Sequence, residues 1–465
     1  MAVSGIEAGV GRANITPPLS APHAGWGAQT HLFADGVDHD LYATVLAFRS
    51  VDTTVIMVEL DLVIISRVES DAIRHAVSSI TGVEFESIRV GVTHNHAGPP
   101  PSAWNWMPQG REALQGYYSL LPSMVSGAAL VAMRSLRPAR IGFNLGESHV
   151  AVNRREVAPN GQTVTGVNPD GQIDPALLVV RIDGVDGDPI ASIVGYTMHP
   201  TVMGPGNRLV SPDWPGHLKR VMSSLTGAPC LFLQGATGDI GPGPNGFSSD
   251  VENARRLGAV IGSQASALYF ETEVENRTYA HERVWDSGAP LGKWSYSVEE
   301  SDPAVLLARS TKIELPLVPQ PDKASARQAA DTAQTRLASL IDSSAPEAEI
   351  EDATFAVKRA NMTLSRAGTF GERSHFPIDL HVLQIGPLAI AGCEGEPFSQ
   401  IARDIKVASP FEFTWFGGYT GGWFGYVPMP DAYALAGYEV ETSPYTPEAA
   451  GILTDRVLEY LKELA

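Results

Sequence analysis

The chain has 465 residues, of which 44% are hydrophobic and 18% charged, and a net charge of −19. With that surplus of acid and no run of five or six basic residues, a nucleic-acid backbone or an anionic membrane surface is excluded as the main partner, since both are bound through basic patches. "MAVSGIEAGVGRANITPP" has no basic segment leading into an apolar one, and no stretch nears about 18 uninterrupted apolar residues, so the reading expects no leader, no membrane anchoring and a cytoplasmic location.

In chain order, "TTVIMVELDLV" (53–63) reads as a strand ending near Asp61, and "RVESDAIRHAVSSI" (67–80) as an amphipathic helix. "SIRVGVTHNHAGP" (87–99) is a strand that runs into His94 and His96. The helix "GYYSLLPSMVSGAALVAMRSL" (116–136) follows, then strands "ASIVGYTMHPTVMG" (191–204) and "PCLFLQGATGDIGPGP" (229–244), ending at His199 and Gly238-Asp239. "DVENARRLGAVIGSQASALYF" (250–270) is helical. Residues 272–375 behave differently: two charged helical segments flank "SSAPEA", a helical hairpin (320–366) inserted between the last two core strands, with a solvated face. "LAIAGCEGEPF" (388–398) is the last core strand and ends at Glu394 and Glu396. Cys230 and Cys393 lie in apolar runs and read as buried thiols. In "FTWFGGYTGGWFGYVPMPDAYALAGYEVE" (413–441) and "PPPSAWNWMPQG" (99–110), glycines and aromatics mix without a period, which suits a pocket rim or a loop-rich core patch. Strand and helix in alternation describe an α/β fold, a mixed, partly parallel sheet flanked by helices, with residues 1–465 as a single domain.

His94 and His96 raise the question of function. In an extended strand, residues two apart share a face, as a metal site or a paired acid/base site requires; two surface histidines at a solvated strand end look the same. Ligands of α/β folds bind beyond the carboxyl ends of strands, and His, Asp and Glu recur at such ends here, which favours a metal. "GATGDIGPGPNG" is glycine-rich but carries neither G-K-[ST] nor G-x-G-x-x-G, so a phosphate-cradling loop is the weakest reading.

An ordered set of motifs, "GVGRANITPP", "DHDLYATVLAF" (38–48), "THNHAGP" (93–99), "NRR" (153–155), "HPTVMG" (199–204), "SPDWPGH" (211–217), "GATGDIGP" (235–242), "GEPF" (395–398) and the Tyr-rich block 426–439, resembles the neutral (non-lysosomal) ceramidase family. The resemblance implies an α/β catalytic domain that is a zinc-dependent amidase, here without the C-terminal β-sandwich tail of longer relatives. It implies one catalytic zinc held by His94, His199, Glu396 and Tyr426, with Glu394 as the other acidic candidate. It implies His96, Arg154 and Tyr438 as the groups that meet the substrate or its carbonyl; since a leaving amine must be protonated, His96, then Tyr438, is the candidate general acid. His39 and Asp239 are candidates to support the ligands. Zinc supplies a water whose pKa falls from about 15.7 toward about 7, and losing one oxyanion donor costs about 3–4 kcal/mol.

One position departs from the family. Where its pattern reads G-D-V-S-P, this chain reads "GDIGP", with Gly241 in place of the serine, so no step through that serine carries over. Attack by metal-activated water on an amide C–N bond is the activity expected, on a small or soluble amide; ceramide itself, an ester or an N-acetyl sugar are the alternatives on the same scaffold. A metal-containing binding module without turnover is the alternative of another class, and a homo-oligomer is compatible with either.

Overall fold

The computed structural model describes residues 2–23, 25–102, 109–244, 246–299 and 303–465. An eight-stranded sheet forms its centre. From one edge to the other it runs Cys230–Gln234, Pro189–Tyr196, Ala176–Gly184, Arg137–Glu147, Ala2–Asn14, Tyr42–Arg49, Thr54–Leu60 and Ile88–Val92. Only the two outermost pairs are parallel, Pro189–Tyr196 with Cys230–Gln234 and Thr54–Leu60 with Ile88–Val92. The mixed sheet agrees with the reading from sequence, but most of its ladder is antiparallel. Strands such as Ala2–Asn14 and Arg137–Glu147 carry weaker apolar runs, and periodicity alone did not single them out.

A second sheet of four strands, Leu306–Pro316, His375–Ile385, Leu388–Cys393 and Phe413–Gly417, packs against the first. Leu383, Ile385, Leu388, Ile390 and Trp415 from it share one buried cluster with Leu46, Phe48, Val55 and Met57 of the larger sheet. The outer face of the larger sheet is covered by helix Arg67–Thr81 and helix Arg111–Arg134, and by helices Asp213–Thr226 and Val251–Glu271 nearer its other edge.

Helix Arg111–Arg134 is long and apolar enough to cross a membrane by length and composition, which the sequence reading did not anticipate. Here it lies on the sheet, with Leu114, Tyr117, Leu121, Val125 and Ala129 buried. The contact is close because Gly9 and Gly11 carry no Cβ: one built at Gly11 would sit 2.1 Å from the Ala128 carbonyl oxygen.

Helices Lys323–Asp342 and Glu347–Phe370 pack on each other and connect strands Leu306–Pro316 and His375–Ile385, which pair directly. The stretch before them is not helical. Asn276–Trp285 and Leu291–Glu299 form an exposed antiparallel hairpin, whose alternating small and large residues escaped a reading tuned to the helical segments that follow. Of the aromatic segment 99–110, residues 103–108 lie outside the described residues.

Candidate metal centre

Three strands deliver the centre, though none of its side chains is within a core strand. Ile88–Val92 stops two residues before His94, Pro189–Tyr196 three before His199, and Leu388–Cys393 three before Glu396. The expected alternation of His94 and His96 along an extended strand does not occur. His94 adopts φ 66°, a left-handed conformation uncommon for a non-glycine residue and frequent at functional sites. The turn brings the two rings nearly edge to face, with centroids 4.8 Å apart.

The Nε2 atoms converge. That of His94 lies 3.1 Å from Nε2 of His199 and 3.2 Å from Nε2 of His96. Oε2 of Glu396 is 3.3 Å from Nε2 of His199 and 3.6 Å from that of His94. On its other side each ring meets a backbone carbonyl: Nδ1 of His94 meets Val63 O at 2.6 Å, that of His96 meets Gly25 O at 2.7 Å, and that of His199 meets Thr237 O at 2.7 Å. A carbonyl only accepts, so each Nδ1 carries the proton and each neutral ring turns an Nε2 lone pair inward. Burial pushes His94 and His96 down to about 3 and His199 to about 4, which keeps the rings neutral. Burial alone would raise Glu396, but it is held well below the usual carboxylate range, and with the histidines neutral the charge that favours its ionised form is that of Arg154. Three lone pairs and a carboxylate thus face one point with no proton between them. A cation satisfies such a donor set, and the histidine–carboxylate chemistry fits zinc.

Glu396 is oriented in turn. Trp423 Nε1 donates to its Oε1 at 2.7 Å and the Tyr419 hydroxyl to its Oε2 at 3.2 Å; that hydroxyl also bonds Thr237 Oγ1, and the Tyr419 ring lies 4.1 Å from that of His94. Neither Tyr419 nor Trp423 was singled out from sequence. Both belong to the aromatic and glycine block read as a pocket rim, whose lack of a period hid which rings turn inward.

Glu394 is elsewhere. Arg67 grips its carboxylate through Nε and Nη2, and the Asp379 N–H donates to Oε2 at 2.7 Å. Tyr426 is buried and lies beside Glu396, because Glu396–Pro397 and Tyr426–Val427 pair in parallel. Its hydroxyl accepts from Arg154 Nη2 at 3.3 Å. Arg154 is buried as well; burial works against its charge, but Glu439, at 2.8 Å from Nε, overrides that and holds it charged. Glu439 also takes Arg155, at 2.6 Å, so one carboxylate anchors both arginines of "NRR". Tyr438, 48% exposed, stands at the edge of this group with its ring 5.8 Å from that of Tyr426. Asp239 supports the floor, accepting from Ser399 N and Oγ and from Asn153 Nδ2, while its own carbonyl accepts the Arg154 N–H. His39 does not join them: its contacts are Asp38, His217 and Arg220. Gly241 pairs with Val152, and a Cβ there would lie 3.3 Å from Cβ of Arg154.

Fold and centre together define a mixed α/β protein with a buried histidine–carboxylate cluster reached by aromatic and arginine side chains. Residues 6–227, just under half of the chain, match the family model "Neutral/alkaline non-lysosomal ceramidase, N-terminal". The matched segment contains His94, His96, Arg154 and His199. Among curated relatives, the neutral ceramidase of Pseudomonas aeruginosa is 24% identical over 185 residues, which are 37% of this chain and 28% of that protein. Neutral ceramidase A of Dictyostelium discoideum is 28% identical over 176 residues, 35% of this chain and 24% of that one. The matched regions thus span about a quarter of these relatives. The fold is also that of the crystal structure of the P. aeruginosa neutral ceramidase, with a TM-score of 0.66 at 17% identity over 98% of this chain and 74% of that one.

Proposed function

We propose that this protein is a zinc-dependent hydrolase that cleaves the C–N bond of an N-acyl amide, with His94, His199, Glu396 and Tyr426 as the metal ligands. The observation that carries the reading is the pair of inward Nε2 lone pairs of His94 and His199, 3.1 Å apart, with Oε2 of Glu396 3.3 Å from the second and 3.6 Å from the first. When bound, zinc polarises a water and makes it nucleophilic near neutral pH.

The chain's own groups do the rest. The backbone carbonyls of Val63 and Thr237 fix the ring orientation and tautomer of His94 and His199, as supporting acceptors do in metal sites. Arg154, immobilised on Glu439, presents a fixed positive charge beside Tyr426, where the substrate carbonyl oxygen gains charge as it turns tetrahedral. Tyr438, at the exposed edge, is placed to donate to the same oxygen or to the leaving nitrogen. His96, less buried than its two neighbours, holds Nδ1–H on Gly25 and turns its Nε2 lone pair to the reacting centre, where it can take a proton from the attacking water and return that proton to the departing amine. No hydroxyl stands at Gly241, so the reading needs no serine.

The match of residues 6–227 to the ceramidase family model favours an amide of the ceramide type as substrate class; a smaller, soluble amide is the other arm of the test. Purified protein is assayed for metal by elemental analysis and for turnover of N-acyl sphingoid, short-chain N-acyl, ester and N-acetyl-sugar substrates. About one zinc per chain, with amide cleavage abolished by a chelator and by His199→Ala, is the expected result. Stoichiometric zinc with no turnover of any carbonyl substrate would establish a binding module instead, and amide cleavage by metal-free protein would sink the mechanism.

A further inference from the structure

One element stands apart from both sheets. Strands Asn276–Trp285 and Leu291–Glu299 pair only with each other among the described residues, and every residue from Arg277 to Glu299 is exposed. Alternation puts Tyr279 and His281 on one face with Trp294, Tyr296 and Val298. There the Tyr279 and Tyr296 ring centroids lie 5.7 Å apart, and those of His281 and Trp294 5.5 Å. Trp294 is 64% exposed and Tyr296 54%. A ribbon of two strands is marginally stable by itself, and open Trp and Tyr side chains are those that anchor protein interfaces. The two edges of the ribbon differ. Asn276–Trp285 carries the extra residue Glu282, a bulge that blunts its edge, whereas Leu291–Glu299 carries none.

The regular edge is complementary to itself. Outward from Tyr296 in either direction, "KWSYSVE" (293–299) reads serine, apolar residue, charge, and the two charges are opposite in sign. Antiparallel pairing of two copies about a two-fold axis at Tyr296 sets Tyr296 against itself, Ser295 against Ser297, Trp294 against Val298 and Lys293 against Glu299. Within one chain both charges lack an ion pair among the described residues. Lys293 lies opposite Arg283 on the ladder, with its ammonium 4.6 Å from the Trp285 ring centre, and Glu299 accepts from the Thr278 hydroxyl at 2.7 Å. Like charges directly opposite are destabilising, and a carboxylate from a second copy offsets that. We propose that Leu291–Glu299 is the contact through which two copies of this chain form a symmetric dimer, joining the two ribbons into one four-stranded antiparallel sheet. A two-fold interface demands this self-complementarity. The paired segment 293–299 is electrically neutral, so two chains of charge −19 meet there without a like-charged contact. Such a contact is small beside a standard interface of about 800 Å² a side, so the dimer depends on concentration. Neither the metal nor the substrate enters it.

The test is the molar mass of the full chain by light scattering and sedimentation equilibrium across the micromolar range. A mass rising to twice that of one chain is expected. Lys293→Glu sets like charges across the axis and should weaken association at least about 10-fold, and adding Glu299→Lys to it should restore the dimer. Tyr296→Cys should give a disulfide-linked dimer on oxidation, because opposed Cα atoms of antiparallel strands stand about 4.5–5.5 Å apart, within disulfide reach, and Cys230 and Cys393 are buried. A native chain that stays monomeric at every concentration overturns the proposal, as does a dimer indifferent to Lys293→Glu or one that Tyr296→Cys fails to link. A monomer that binds zwitterionic vesicles through Trp294 would assign the aromatic face to a lipid surface instead. Native mass and the Tyr296→Cys link are separate readouts, so a Lys293→Glu chain that failed to fold would leave the test intact.

Discussion

His94 and His199 stand 105 positions apart in the chain, yet their Nε2 atoms face each other at 3.1 Å, each ring locked from behind by a backbone carbonyl. Neither nitrogen can donate to the other while both rings are neutral, so the pair is electrostatically incomplete without a cation. Zinc added to metal-free protein is expected to raise the melting temperature by several degrees, because a ligand that binds only the native state stabilises it by mass action. His199→Ala should show no such rise. An equal zinc response in native protein and variant would place the metal elsewhere.

The two glutamates of "CEGEP" should separate cleanly. Glu396→Gln removes the charge at the centre and is expected to lower metal retention and turnover by at least about 100-fold, with the metal-free fold little changed. Glu394→Ala leaves Arg67, which is only partly exposed, without its buried partner, and is expected to cost about 2–4 kcal/mol in urea unfolding. Reversed outcomes would exchange the two roles.

Tyr419→Phe deletes one donor to Glu396 and keeps the ring, and Trp423→Phe deletes the other and leaves a smaller aromatic ring in its place. Each is expected to weaken metal binding or turnover by about 10–100-fold while the far-ultraviolet spectrum and the urea midpoint stay close to native. Metal titration by calorimetry reads the difference.

Acid should act through His381. Burial first, then Arg74 and Arg89, push it from 6.5 down to about 3, with Asp379 opposing. Below about pH 6.5 the unfolded chain takes up a proton there that the native chain refuses, so native stability falls toward pH 3 by up to about 1.4 kcal/mol per pH unit. His381→Leu should flatten the loss between pH 6 and 4 by about that slope, measured by urea unfolding. An unchanged slope would show that His381 does not titrate as its surroundings require.

Gly11→Ala places a methyl group 2.1 Å from the Ala128 carbonyl and must lift helix Arg111–Arg134 off the sheet. A loss of at least about 2–3 kcal/mol is expected in urea unfolding.

Sequence alone determined the chemical inventory. Apolar runs that end in His94, His96, His199 and Glu396 are local signals, readable because strands bury β-branched residues and stop at polar ones, and the helices over 67–80 and 250–270 follow from their own period. Tertiary structure decided what no local pattern holds. It set Glu396 beside His94 and His199 and Glu394 against Arg67, which lies 327 positions away in the chain. It turned His94 through a left-handed bend that strand alternation does not predict, drew Tyr419 and Trp423 inward from an aperiodic loop, and left His39 with Asp38 and Arg220. Each of these depends on which segments the two sheets bring side by side. A buried charge or lone pair takes whatever partner packing sets within about 3 Å, and chain separation has no bearing on that distance.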